Sequence, residues 1–429
     1  MKLLKAISDC RSVSGKEETR TERIPRHAVA RFASLVAIFV LSMFNGASAQ
    51  TRVSFVNVAD STQGLSDFSQ FPAINNRGAA SFVATQNGGE QGVFKWERHS
   101  LKTIASTTDA RFSFFTDDVV INSTGVVGFR ALLPIGGRAA GIFTSDGSGI
   151  KTIVNSKDQG LAGQTIGEPS INDAGTVAFQ ASRNGLRSSV ILTGDGGPLT
   201  TVLDTVNSNF IDFGAVAINS DGEIVFRGIL KGRQEGVFVV RKALTSQVRN
   251  ETAENGNVAT AAASVIDIVD SINQNFFGFG DPVINNAHIV AAFTSVPVGV
   301  GTGVEVFSGD ARGITARSDP NVSFAELEHP SLNKSGALAF SSLGNDGSQA
   351  IWVELTGGAS PVAILQSGDA LFGSRVTVVS VGRFAFNDHL HLAFQYELEN
   401  GVTGIAVASI HNRDEANQDN SGDDEDREQ

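Results

Sequence analysis

The chain has 429 residues and a formal net charge of −12, with 41% hydrophobic and 18% charged residues. This composition excludes a disordered chain and a coiled coil, and the acidic balance argues against a general nucleic-acid binder. The one Cys and both Met (Cys10, Met1, Met43) lie in the first 43 residues, so no disulfide scaffold, cysteine zinc site or cysteine nucleophile can be built from the rest.

Residues 1–31 carry eight Lys/Arg and four Asp/Glu, and an apolar run, FASLVAIFVLSMF, follows from Phe32 to Phe44. The run ends at Asn45-Gly46-Ala47-Ser48-Ala49. A basic start, a short apolar stretch and a small-x-small site describe a secretory signal peptide, with cleavage expected after Ala49. The run is shorter than the ~20 residues a spanning helix needs. Residues 1–49 are therefore expected to be removed, leaving no membrane span, and the protein is expected in the periplasm or the medium.

From residue 50 to 410 one unit recurs seven times: PAINNRGAASF, VVINSTGVVGF, PSINDAGTVAF, VAINSDGEIVF, PVINNAHIVAAF, PSLNKSGALAF and FAFNDHLHLAF. The repeated Asn residues are Asn75, Asn122, Asn172, Asn219, Asn285, Asn333 and Asn387. Asn-x-x-Gly has the preferences of a type I turn. The Asn side chain can accept from backbone two residues on, and Gly78, Gly125, Gly175, Gly222 and Gly336 supply positive φ where the next strand begins. So P-x-I-N ends one strand and G-x-V-A-F starts its antiparallel partner. The second strand is nearly all apolar, as in Val177-Ala178-Phe179, which suits burial on both faces.

A third strand (GVFKW, GIFTS, SVILT, GVFVV, VEVFS, AIWVE) and a fourth follow. The fourth strands run to a polar turn at Asp60, Asp109, Asp158, Asp204, Asp319 or Asp369, where Asp reads as a turn former. Four short strands per ~50 residues, seven times over, predict an all-β fold: a seven-bladed β-propeller of four-stranded blades. The seventh copy stops after its third strand, GIAVASI, while RVSFVNVADS at Arg52–Ser61 reads as a fourth strand with no partners before it. The N-terminal strand is expected to complete the last blade and close the ring, removing its open edges.

Three departures stand out. Copies five and seven have His288-Ile289 and His389-Leu390 where the turn Gly is expected, which predicts different turns there. Copy five also has one extra residue between Asn and Phe. Copy four is about 17 residues longer, the excess falling in an Asn-, Thr- and Ala-rich loop at Thr245–Ala263.

In these motifs the chain resembles the bacterial exported proteins built of tandem N-x-x-G-x-x-A-F repeats, a group often carrying a variable C-terminal anchor. The resemblance covers about residues 52–410. It implies export and a repeat architecture, and no biochemical activity. The anchor is not visible here. Residues 411–429 hold eight acidic and two basic residues and no large apolar group, which predicts a disordered, solvating tail. Asn417, Asp419, Ser421, Gly422, Asp423 and Glu428 fall in the order of a calcium loop, but Asp424 takes its apolar position and no flanking helices are readable.

Catalytic patterns are scarce: no G-x-S-x-G, H-E-x-x-H, phosphate-binding loop or dinucleotide fingerprint occurs. His389 and His391 alternate on one strand and share a face, without a third metal ligand in reach. One constellation comes from the repeat register. The residues four before each motif Asn are Phe71, Asp118, Glu168, Ala215, Asp281, His329 and Arg383. If P-x-I-N is the innermost strand, these surround one mouth of the channel, and Asp118, Glu168, Asp281, His329 and Arg383 become the candidate ligand-binding residues.

The sequence thus favours an exported, monomeric, non-catalytic scaffold with no cofactor or metal, whose partner is an extracellular or envelope ligand. The alternative is a hydrolase or lyase acting on extracellular polysaccharide. It would use two carboxylates about 5–10 Å apart, with Asp118 and Glu168 first in line. Sugar-stacking aromatics are few (Trp96, Trp352, Tyr396).

Overall fold

The computed structural model describes residues 52–411 except 135–138, 157–160, 162–165, 184–187, 242–263, 272–275, 277, 299–300, 311–312, 318–325 and 356–359. The leader, the acidic tail beyond His411, the copy-four loop, Asp158 and Asp319 lie outside the described residues.

Seven antiparallel sheets form a β-propeller. Blade two shows the plan: Phe114–Ile121 innermost, then Val127–Leu132, Ala140–Ser145 and Ile150–Asn155 at the edge. Each P-x-I-N segment belongs to the inner strand, which meets the condition set for the candidate ring. Where it is broken into short pieces, as at Leu65–Ser66 and Ala73–Ile74, both pieces pair with the same second strand, Ala80–Gln86. The ring closes as expected. Arg52–Asp60 is the outer strand of blade seven, paired with Thr403–His411 in a register from Arg52 opposite His411 to Asp60 opposite Gly404.

The second strands are buried on both faces because blades stack on them from both sides. Val177, Ala178 and Phe179 are fully buried. Phe179 packs against Ile142, Ile153 and Val154 of blade two, while Ala178 faces Phe213 and Phe226 of blade four. Phe82, Phe129, Phe226, Phe340 and Phe394 are likewise fully buried. Truncation of Phe179 to Ala is expected to cost about 3–5 kcal/mol, read as a loss of denaturation free energy.

Copy five shows what one inserted residue does. Side chains alternate along a strand, so a one-residue shift moves a side chain to the opposite face. Ala292 takes the place facing blade four. Phe293 turns to blade six and meets Phe340 edge-on at 6.2 Å. Phe276 and Phe279 from the preceding loop pack on the side facing blade four. An F-x-x-F pair enters the core in the same way at Phe112 and Phe115 and at Phe210 and Phe213. This F-x-x-F pattern is a second repeating signal of the sequence.

The expectation of different turns in copies five and seven is corrected. His288 N–H donates to the Asn285 carbonyl and Leu390 N–H to that of Asn387, each at 3.2 Å, as Gly78 does to Asn75. His288 (φ 63°) and Leu390 (φ 57°) take the left-handed conformation that Gly adopts in the other copies. That conformation costs a side-chain-bearing residue roughly 1–2 kcal/mol. The His288 ring is held by Glu223, and Leu390 packs on the core of blade seven. The turn survives because the Asn side chain, not the Gly, organises it.

Candidate functional site

The inner strands place two rings of side chains around the axis, one near each end of the channel. The turn-side ring consists of the seven motif Asn, all buried. Each Oδ1 accepts from backbone N–H groups of its own turn, as from Arg77 and Ala79 to Asn75. Each Nδ2 donates to the backbone carbonyl of the next motif Asn. The seven bonds run Asn75 to Asn122, Asn172, Asn219, Asn285, Asn333, Asn387 and back to Asn75, at 2.7–3.5 Å. One residue type therefore shapes every turn and links every neighbouring pair of blades. The linking half is invisible in one repeat and exists only in the closed ring.

The next residues form a partly interlocked rim. Asp173 accepts from Ser123 N–H and Ser220 Oγ, and Asp388 accepts from Lys334 N–H and Asn76 Nδ2. Inside lies a cavity of about 150 Å3, lined by Asn76, Ser123, Asp173, Ser220 and Asn286 and by Ile74, Ile121, Ile171, Ile218 and Ile284.

At the other end the structure brings the five candidate residues into two contacting groups, Arg383 with Glu168 and Asp118, and His329 with Asp281. Arg383 is 6% exposed and reaches from blade seven across the axis. Its Nη2 donates to the carbonyls of Val216 in blade four (2.6 Å) and Pro282 in blade five (3.1 Å). Its Nη1 lies 3.6 Å from Glu168 of blade three, and the guanidinium sits over the Phe384 ring at 5.1 Å. Its Nε is buried without a hydrogen-bond partner.

Asp118 shares a hydrogen bond with Glu168. Burial first, then the Glu168 charge and that bond, push its carboxyl up to about 8. The protonated form of Asp118 is thereby favoured up to near neutral pH, where it can donate to Glu168. His329 Nδ1 stands 3.9 Å from Asp281, and the His329 ring meets Phe71 edge-on at 4.9 Å. Burial and then Arg383 hold the His329 imidazole below its usual range. Ala215, the seventh member, adds no polar group. The space left among Phe71, Asp118, Glu168, Pro169, Arg383 and Phe384 is about 10 Å3, room for about one water molecule.

Sequence reasoning missed two polar features. Ser170 and Ser331, in the P-S-x-N form of the motif, accept through Oγ from backbone N–H groups of the next blade, Ile218 and Ala385. Glu223, 8% exposed, binds Arg241 Nε and His288 Nδ1, each at 2.6 Å, across blades four and five. The deviant turn His288 and an acidic residue at a motif position that is acidic in no other copy were its signals. The described Asp residues at strand ends are turn formers: Asp60 accepts from Thr62 N–H, Asp109 from Arg111 and Asp204 from Asn207. Among the described residues no group of three or more ligand-type side chains is placed to hold a metal ion.

A family model described as a family of unknown function, DUF7453, matches residues 45–235. No curated protein matches the chain. Among solved structures, the chain is similar to the acylaminoacyl peptidase of Pyrococcus horikoshii at 10% identity and a TM-score of 0.45, covering 78% of this chain and 49% of that one. It is similar to a putative TolB from Agrobacterium tumefaciens (13% identity, TM-score 0.36, 74% and 90% covered). It is also similar to the polysaccharide lyase Uly1 (10% identity, TM-score 0.42, 80% and 90% covered). The chain spans about half the length of the peptidase.

Proposed function

We propose that this chain is an exported β-propeller that serves as a binding or structural scaffold of the cell envelope or medium and catalyses no reaction. One observation carries the reading. The ionisable ring at the channel mouth is spent on itself: Arg383 is committed to two carbonyls and Glu168, leaving about 10 Å3. A small-molecule pocket occupies about 300–1,000 Å3, and a glycosidase needs two carboxylates flanking an accessible sugar bond. Export rests on the leader pattern, and no helix among the described residues is long and apolar enough to cross a membrane. The partner on this reading is an extracellular or envelope ligand met on the outer surface of the ring.

A specific observation favours the second reading, a polysaccharide hydrolase. A carboxylic acid whose protonated form persists to near neutral pH, as that of Asp118 does beside Glu168, is what a general acid needs. The test is a screen of common polysaccharides for cleavage by the mature protein, with Asp118→Asn and Glu168→Gln beside it. The scaffold reading expects no turnover by any of the three. Cleavage by the parent that both variants lose would overturn it.

A further inference from the structure

The sequence offers His389 and His391 as a pair without a third ligand, and the fold brings one. His391 opens the strand His391–Leu398, which runs antiparallel to Thr403–His411 with His391 opposite Ser409. The ladder continues one step outward, where Ile410 N–H donates to the Leu390 carbonyl. The same register puts His411 opposite His389. His411 lies two residues from Ser409 on its strand and so shares the face of His391, while His389 reaches that face from the Asn387–Leu390 turn rather than from the strand. Three imidazoles therefore gather on one face at one corner of blade seven.

Two contacts agree with this placement. The His389 and His391 rings lie 6.2 Å apart and 30° from parallel. The His391 imidazole is held below its ordinary range by burial first, then by the charges that His389 and His411 would carry. His389 and His411 are exposed, and His391 is half-buried. In this conformation the three do not converge on one point. Exposed side chains move between staggered rotamers at little cost, so the two outer rings are free to turn toward His391. The Asp388 carboxylate, next to His389 in the chain, is engaged by Lys334 N–H and Asn76 Nδ2.

We propose that His389, His391 and His411 close on one borderline divalent cation of the Zn2+, Ni2+ or Cu2+ class. Imidazole suits these ions, and three His with an open position is an established donor set for zinc. Hard ions such as Ca2+ want oxygen ligands rather than imidazoles. His411 also ends the strand that carries the closing N-terminal strand, opposite Arg52. The ion would tie the turn of blade seven to the closure ladder, and by binding only the folded ring it would stabilise it.

The experiment uses chelator-stripped mature protein without a histidine tag. Zn2+ and Ni2+ are titrated calorimetrically, and melting temperature is followed with each ion. The expected result is saturable binding of one ion per chain with a raised melting temperature. His389→Ala, His391→Ala and His411→Ala should each weaken it about tenfold or more, while His99→Ala leaves it unchanged. Because His389 and His411 are exposed, their variants should melt with the parent in the absence of metal. No saturable binding, or binding that survives His391→Ala and His411→Ala, overturns the proposal.

Discussion

Removing Arg52–Asp60 from the mature chain is expected to lower the melting temperature by more than 10 °C, or to abolish a cooperative transition. The strand pairs along its length with Thr403–His411. It buries Val58 and Ala59 against Phe82 and Ile405. Phe55 meets Phe394 edge-on at 5.9 Å, and the Tyr396 hydroxyl donates to Asn57 at 3.2 Å. Lost apolar burial and lost ladder bonds together amount to on the order of 5–10 kcal/mol. The truncation also turns Thr403–His411 into an open edge, which invites association. The measurement is calorimetric melting of the two chains side by side, with removal of residues 414–429 as a control expected to change little. Equal melting temperatures for the strand deletion and the parent would refute ring closure as a source of stability.

The second large effect is expected at Arg383. Arg383→Met keeps most of the stem and removes the charge. It leaves the Val216 and Pro282 carbonyls without their donor and Glu168 without its cation. Breaking one partner out of a buried ionic group costs about 3–5 kcal/mol, and the loss should appear as a lower denaturation midpoint with an unchanged slope.

A pH series separates this from a simple packing loss. The Asp118 carboxyl is raised in the folded protein to about 8 from 3.8, so over that window the native state holds a proton that the unfolded chain releases. Stability must therefore fall as pH rises from about 4 to about 8, by at most about 1.4 kcal/mol per pH unit for one proton. Asp267, raised to about 6, adds slope only in the lower half. His329 and His391, both lowered from 6.5, act in the opposite sense below that value. The interval from pH 6.5 to 8 thus reads Asp118. Asp118→Asn, a permanent stand-in for the protonated acid, should gain stability at pH 8 and flatten the curve there. A parent curve already flat over that interval would show that Asp118 and Glu168 do not share a proton.

How much was legible follows from what each residue needs in order to act. The N-x-x-G turn involves neighbours within four residues, so Asn75 and Gly78 could be read directly. The strand order within a blade and the closing role of Arg52–Asp60 could be read because turns, apolar runs and missing strands are local facts that add up along the chain. The tolerance of His288 and Leu390 in the turn could not. It depends on Glu223 from blade four and on the packed core of blade seven. The reversal of Phe293 was foreshadowed by one extra residue, but its new neighbours, Leu338 and Phe340 of blade six, come from a distant part of the chain.

The sequence by itself determined seven units, their turns, their alternation and the strand that joins the ends, because these rest on periodicity and backbone preference. Only the tertiary structure decided what the axis does. The seven motif Asn bind each other's blades only once the ring is closed. Asp118, Glu168 and Arg383 lie far apart in the chain, and register alone could place them at one mouth but not say whether they face a ligand or one another. They face one another, because a buried guanidinium must find its acceptors inside the channel.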